Sequence, residues 1–330
     1  MSVNPAPRTI PDRLDSRLSG FIFSWEALLI LVAAGIFIFN SFASPYFLDA
    51  WNLSDATFSF TEKVLIALAM AMLIIAGEID LSVASIAALS STAMGFLAVN
   101  GFGTPAIITA GLATGLACGA FNGLLVTRFG LPSIVVTIGT MSLFRGLSLS
   151  ILHEGVYKGY PASFSWLGQG YVYWVFSFEF VFFIIMALVF GILLHMTSFG
   201  RTVYAIGNNP VAAQFSGIRV ARVKFILFML TGLMSGMASV LLTARIGSTR
   251  PSIATGWELE AITMAVLGGV NILGGSGTIP GVVIAAFIMG MVTFGFGLLN
   301  VPGIVMSIFI GFLLIMVIAA PILYRRFRKA

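Results

Sequence analysis

Apolar runs close to membrane-spanning length recur along this chain, separated by short stretches where glycine, proline, asparagine and charged residues collect. A helix needs about 20 apolar residues to cross the hydrocarbon core of a bilayer. On that measure the pattern predicts helices over 25–43, 61–77, 83–99, 105–127, 132–152, 174–195, 225–244, 259–273, 281–298 and 303–323. The second, third and eighth are short, and 61–99 reads better as two crossings around a break than as one. The expected fold is all-α, a polytopic membrane bundle of about ten helices. It forms a single membrane domain over 25–324, with an N-terminal tail over 1–24 and a basic tail over 325–330.

Composition removes the soluble alternatives. The 330 residues are 59% hydrophobic and 9% charged, whereas soluble domains carry about 25% charged residues. The net charge of +5 reports orientation, because the basic residues are thinly spread and form no stripe suited to nucleic acid. With the N-terminus inside, the inner segments hold twelve Lys and Arg, among them Arg8, Arg13, Arg17, Arg201, Arg219, Arg222 and Lys224. The outer segments hold four: Lys63, Lys158, Arg245 and Arg250. Lys and Arg accumulate on the cytoplasmic side of membrane proteins, so both termini are expected there, which an even number of spans allows. Asp12 and Asp15 lie among the N-terminal arginines and no small-residue cleavage site follows a short apolar core. A cleaved signal peptide is therefore not expected, and the first span stays as an anchor. Cys118 is the only cysteine, so no internal disulfide forms.

The longest inner loop, 196–224, contains a short helix marked at both ends. Following Gly207 and Asn208, Asn209 can cap the first turn, Pro210 suits the first helical position, and Gly217 suits a left-handed stop. Residues 210–216 make about two turns, with small residues at Ala212, Ala213 and Ser216. Such a helix either lies on the membrane surface or docks in a cleft of a soluble partner. Gly111, Gly115, Gly119 and Gly123 repeat every four residues along one face of the fourth span, which lets another helix backbone approach closely. That face packs inside the subunit or between subunits.

Polar groups within the spans are few. Arg145 lies about two thirds of the way across its span, where it must snorkel, find a carbonyl, or line a wet path with Thr137, Thr140 and Ser142. Glu78 and Asp80 follow the second span, either solvated or inside a protein-lined break, and Asp80 or Ser82 can cap the next helix. Gly268, Gly269, Gly274, Gly275 and Gly277 look like phosphate-cradling turns, but no G-x-x-x-x-G-K-[ST] occurs in the chain. They fit a tight turn or a gate with little side-chain bulk. The two histidines, His153 and His195, stand far apart without a cysteine partner, so neither a metal nor another cofactor is expected. No serine has a histidine and a carboxylate in local reach. The chain is not expected to be an enzyme, and its energy source is expected in another chain.

Four stretches, in order, resemble the permease subunits of bacterial sugar ABC importers, the group that handles ribose, xylose, arabinose, rhamnose and autoinducer-2. They are the loop Phe199 to Ile218, Ile75-Ala-Gly-Glu-Ile-Asp-Leu-Ser-Val-Ala-Ser85, Thr137-Ile-Gly-Thr-Met-Ser-Leu-Phe-Arg-Gly146, and the glycine-rich run Glu258 to Gly281. The similarity covers most of 25–325 and departs at Glu78 and Ala84, where glycine is usual. It implies a type II importer permease in the bacterial inner membrane, working with a second copy or a paralogue. A pair of ABC ATPase subunits inside and a periplasmic or lipoprotein sugar-binding protein outside are the implied partners, besides membrane lipid. Residues 207–217 would be the coupling helix that receives ATPase motion. The alternative is an ion-coupled secondary sugar transporter, which normally needs buried acidic groups near the midplane.

Overall fold

The computed structural model describes residues 25–153, 155–312 and 315. The tails 1–24 and 325–330, and almost all of the run beyond 312, lie outside them. The helices in chain order are α1 (Trp25–Ala43), α2 (Ala50–Phe58), α3 (Thr61–Ile75), α4 (Val83–Val99), α5 (Thr104–Arg128), α6 (Ser133–Leu152) and α7 (Ala162–Gln169). There follow α8 (Phe178–His195), α9 (Ser198–Asn208), α10 (Pro210–Phe215), α11 (Val220–Ile246), α12 (Trp257–Leu267), α13 (Ile279–Leu298) and α14 (Gly303–Phe312). The only strands among the described residues are two short antiparallel pairs, β1 (Tyr157–Lys158) with β4 (Ser248–Thr249) and β2 (Tyr171–Tyr173) with β3 (Phe176–Ser177).

Nine of the ten expected runs coincide with a helix and the tenth does so over 303–312, the rest of it lying almost wholly outside the described residues, but they are not equal spans. Among the described residues six helices, α1, α5, α6, α8, α11 and α13, are long and apolar enough to cross a membrane. The pair α2 and α3, bent by 47° at Ser59 and Phe60, is long and apolar enough when taken together, as a broken span or a re-entrant segment. The run expected to begin at Thr61 is α3 itself, preceded across the bend by α2, which the Asp49 carboxylate caps by accepting from the amides of Trp51 and Asn52 at 3.1 and 3.2 Å. Helices α4 and α12 are shorter, at 17 and 11 residues. The run expected from 174 begins at Phe178, because Tyr171–Ser177 is spent on the β2–β3 hairpin.

At the centre stands α3. Every residue of it except Lys63 is buried, and it packs against α8, α11, α12 and α13. A helix that is apolar all round belongs in an interior rather than at a surface, and this one meets protein on every side instead of lipid. Beside it α5 and α11 pack closely along the glycine stripe. A Cβ at Gly115 would overlap the Gly232 carbonyl oxygen and lie 2.9 Å from Gly236 Cα, and a Cβ at Gly119 would overlap the Phe228 carbonyl oxygen. The stripe's partner is thus α11 of the same subunit.

Hydroxyls tie α4 to its neighbours. Ser91 Oγ bonds to Thr243 Oγ1 at 2.8 Å and Thr249 Oγ1 at 2.7 Å, Thr92 Oγ1 to Ser148 Oγ at 2.6 Å, and Ser239 Oγ donates to the Ala87 carbonyl at 2.6 Å. Interhelical bonds of this kind hold helices where lipid supplies no hydrophobic drive to associate.

The helix ends gather into two groups. Ile75–Glu78, Asn208 and Gly274–Gly277 meet at one end, together with the Trp25 and Glu26 contacts to Leu267 and Thr278. At the other end lie the start of α3, the β1–β4 pair and Arg245. The first group carries Arg201, Arg219 and Arg222 and is termed here the basic end. The second is the outer end.

Candidate functional site: a loop junction at the basic end

Helix α10 forms because its first turn is satisfied locally. Asn209 Oδ1 accepts from the amides of Val211 at 3.0 Å and Ala212 at 2.9 Å, Pro210 occupies the first helical position, and Gly217 takes φ +85° after the last turn. Of its residues only Ala213 is buried. Val211 and Phe215 project outward at 61% and 89% exposure, an apolar tip too exposed to be packing stock. Arg201, Arg219 and Arg222, on the segments either side of α10 in the chain, are all exposed.

The loop does not hang free of the bundle. Gly207, one turn before α10, rests on the C-terminus of α3: a Cβ there would overlap the Ile75 carbonyl oxygen and lie 2.5 Å from Gly275 N. That same carbonyl accepts the Gly275 amide at 2.9 Å. Asn208 Nδ2 donates to Gly275 O at 3.2 Å, and the Tyr204 hydroxyl to Gly277 O at 2.6 Å. Burial pushes the Tyr204 phenol pKa up, so it stays a donor. The glycine-rich turn, read from sequence as a tight turn or a gate, is thus the third member of a backbone junction with α9 and α3. Three chain segments meet there through main-chain atoms, which transmit displacement with little side-chain slack.

The break between α3 and α4 is protein-lined. The Asp80 carboxylate is fully buried and accepts from the Ser82 amide at 2.8 Å and the Ser82 hydroxyl at 2.6 Å, while Asn122 Nδ2 donates to Ser82 Oγ at 2.8 Å. Asp80 therefore organises the start of α4. Glu78 forms an ion pair with Lys224 near the foot of α11, so its charge is balanced across the junction.

Of the other path candidates only Thr137 meets this break: its buried hydroxyl bonds to the Ser133 carbonyl at 2.8 Å and reaches the Ile79 carbonyl, beside Asp80, at 3.5 Å. Thr140 is buried and bonds to the Thr137 carbonyl, while Ser142 is exposed on a different face. Arg145 Nη1 donates to the carbonyls of Pro251 at 2.6 Å and Ile253 at 2.8 Å. It fastens the α11–α12 loop at the outer end, far from Asp80 along the bundle. No group of three or more His, Cys, Asp and Glu that could hold a metal is found among the described residues.

A family described as the permease component of the branched-chain amino acid transport system matches residues 52–318. The chain belongs to this permease family. Curated relatives include a ribose import permease protein of Bacillus subtilis, 36% identical over 80% of this chain and 82% of that protein. An autoinducer 2 import system permease protein of Salmonella typhimurium is 34% identical over 90% of this chain and 91% of its own. That of Escherichia coli O9:H4 is 36% identical over the same shares. No solved structure matches significantly. The permease is accordingly a multi-pass membrane protein of the transport-permease type.

Sequence reasoning missed two sets of residues in the permease. Ile75 and Gly275 acquire their place only by meeting Gly207, which lies more than 65 positions from either. Glu62 is fully buried and pairs with Arg245 Nε at 2.7 Å, and its neighbour Lys63 pairs with Glu260 at 2.6 Å. The signal was present in Glu62-Lys63 at the head of an apolar run, where a charge inside the membrane needs a partner.

Arg145 yields a direct expectation. Arg145→Met removes two bonds from a charged donor, each worth about 1.5–3 kcal/mol, and frees the loop that carries the exposed Arg250. Trypsin added from the outer side should then cut at Arg250 faster than in the parent, with Arg145→Lys in between. Equal cutting rates would show that the loop is held by something else.

Proposed function

We propose that this permease passes a monosaccharide across a bacterial inner membrane, with both termini cytoplasmic and residues 196–224 receiving motion from an ABC ATPase pair. The sugar is a pentose, a deoxyhexose such as rhamnose, or an autoinducer-2-like molecule, given what the named relatives import. A second copy or a paralogue completes the membrane part, and a soluble sugar-binding protein delivers from outside.

The observation that carries the reading is the junction of an exposed docking tip with the central helix. Phe215 and Val211 offer an exposed apolar anchor on a loop segment that also carries exposed arginines, the composition expected of an interface with a buried centre and a polar edge. Gly207, Asn208 and the glycine turn connect that anchor by backbone contact to Ile75, the last residue of α3. Movement of a docked partner at α10 would be felt by α3 without passing through flexible side chains.

The test uses the permease reconstituted with its ATPase and binding protein. Replacing Asn209-Pro210 by Gly-Gly removes a cap worth about 0.5–2 kcal/mol together with the rigid first turn. Sugar-stimulated ATP hydrolysis should fall while membrane insertion is unchanged. Full stimulation in that variant would remove α10 as the coupler. Uptake by the permease alone, driven by an ion gradient, would favour the secondary-transport alternative instead.

A further inference from the structure

The β2–β3 hairpin, at the outer end of α8, turns its side chains away from the bundle. Tyr171, Val172, Tyr173, Trp174 and Phe176 are all exposed, Tyr173 by 75% and Trp174 by 64%. Trp174 stands at the turn with φ 44°, a left-handed position that glycine or asparagine takes at little cost and a bulky aromatic does not. A residue held there against its preference points to a use for its surface. The hairpin itself is firmly placed. The Phe178 amide donates to Gly170 O at 2.9 Å, Ser54 Oγ donates to Val175 O, and Trp51 meets Tyr171 edge to face at 5.5 Å.

Depth and charge together identify what covers this surface. The 18 residues of α8 span about 27 Å at ~1.5 Å each, close to the ~30 Å thickness of the hydrocarbon core. Its exposed side chains Ile184, Ile185, Leu188, Val189 and Ile192 are large and aliphatic, whereas contacts between helices in a membrane favour small residues. That face therefore meets lipid. Phe176 stacks on Phe180 at 6.3 Å, so the hairpin continues the lipid-facing surface to the outer boundary of the hydrocarbon. It does not lie deeper, because two strands paired only with each other leave open backbone edges that need water. At headgroup level tyrosine and tryptophan keep a ring in apolar surroundings and an O–H or N–H in water.

No charged residue occurs from Gly159 to Phe178. The charged surface of the outer end lies instead around a vestibule of about 590 Å³ lined by Asp55, Lys63, Arg245 and Arg250, and no hairpin residue is on its wall. A soluble partner steered by complementary charge finds none on the hairpin.

We propose that Tyr171–Ser177 is an interfacial anchor whose Tyr173, Trp174 and Phe176 seat in the headgroup–acyl boundary of the outer leaflet, with no requirement for anionic lipid. Through Ser54 and Trp51 the anchor also fixes the depth of α2, the outer half of the bent pair.

The test uses the full permease in phosphatidylcholine vesicles. Tyr173→Cys and Trp174→Cys are each labelled with a nitrobenzoxadiazole dye. Leu188→Cys on α8 is the lipid reference, and Ser252→Cys, exposed on the vestibule wall, is the aqueous one. The native Cys118 is buried, so the labels report on the chosen positions. A nitroxide on the lipid headgroup should quench positions 173 and 174 most, a nitroxide deep on the acyl chain position 188, and aqueous iodide position 252. Iodide quenching at 173 and 174 equal to that at 252 overturns the proposal. So does shielding from iodide and from both nitroxides, which would place a second permease copy on the hairpin. Loss of headgroup quenching when the binding protein is added would assign the hairpin to that partner and overturn the proposal as well.

A second arm leaves the chain unlabelled. Trp174→Asn keeps a residue suited to the left-handed turn and removes the ring, so the tryptophan fluorescence lost relative to wild type is that of Trp174. This difference should be quenched by the headgroup nitroxide. An unquenched difference overturns the proposal, whatever the labels at 173 and 174 do to the turn.

Discussion

Gly207→Ala should separate ATP hydrolysis from sugar uptake. The added methyl group meets the Ile75 carbonyl oxygen and the Gly275 amide nitrogen, both main-chain atoms that cannot rotate away. It also wedges apart the hydrogen bond between them. Overpacking of this kind costs about 1–3 kcal/mol and the bond about 0.5–1.5 kcal/mol more. Since about 1.4 kcal/mol changes an equilibrium tenfold, the docked and undocked arrangements of α9 should shift by at least that factor. Uptake per ATP hydrolysed is the measurement, and it should fall by an order of magnitude while the permease still inserts. Gly191→Ala is the matching control, because nothing lies within 4 Å of a Cβ there. Asn208→Ala, which loses only the side-chain bond to Gly275, should lie between the two. A fully coupled Gly207→Ala would show that α3 is not driven through this junction.

Gly115→Ala should destabilise the fold, although alanine is the better helix former. In an open helix interior alanine gains about 0.8–1.0 kcal/mol over glycine. At Gly115 the methyl group overlaps the Gly232 carbonyl oxygen and presses on Gly236 Cα. The two helices must then separate along their whole contact, losing the close packing on which association in lipid depends. The apparent melting temperature of the purified permease should drop by about 5 °C or more, given a few degrees per kcal/mol. Gly139→Ala, on a face with nothing within 4 Å, should be neutral or slightly stabilising. This opposite sign at two helical glycines is the discriminating result. A change in oligomeric state at unaltered melting temperature would instead place the stripe between subunits.

Much of this arrangement is legible along the chain. Long apolar runs locate α1, α5, α6, α8, α11 and α13, since a bilayer demands length and apolarity in one continuous segment. The short helix α10 is marked by Asn209, Pro210 and Gly217, all local signals that act on their own backbone. The glycine period at 111–123 announces a close helix contact but not its partner. The helix that begins at Thr61 is legible, but the 47° bend that joins it to α2 is not, because a bend of that kind is set by what packs around Ser59 and Phe60. Thr137, Thr140 and Ser142 look like one polar lining in sequence, but helical geometry sends the two threonines and the serine to different faces.

The sequence by itself determined that this chain is a many-helix membrane protein, which end of it is basic, where a docking helix caps itself, and which family it joins. Those properties depend on composition and on residues within a few positions of each other. Only the tertiary structure decided that α3 is enclosed by protein, that Gly207, Ile75 and Gly275 form one junction, and that Lys63 and Arg245 share a vestibule with Arg250. The physical reason is contact across 68 to 200 positions of chain, where close backbone approach and charge neutralisation depend on which surfaces meet and leave no local pattern.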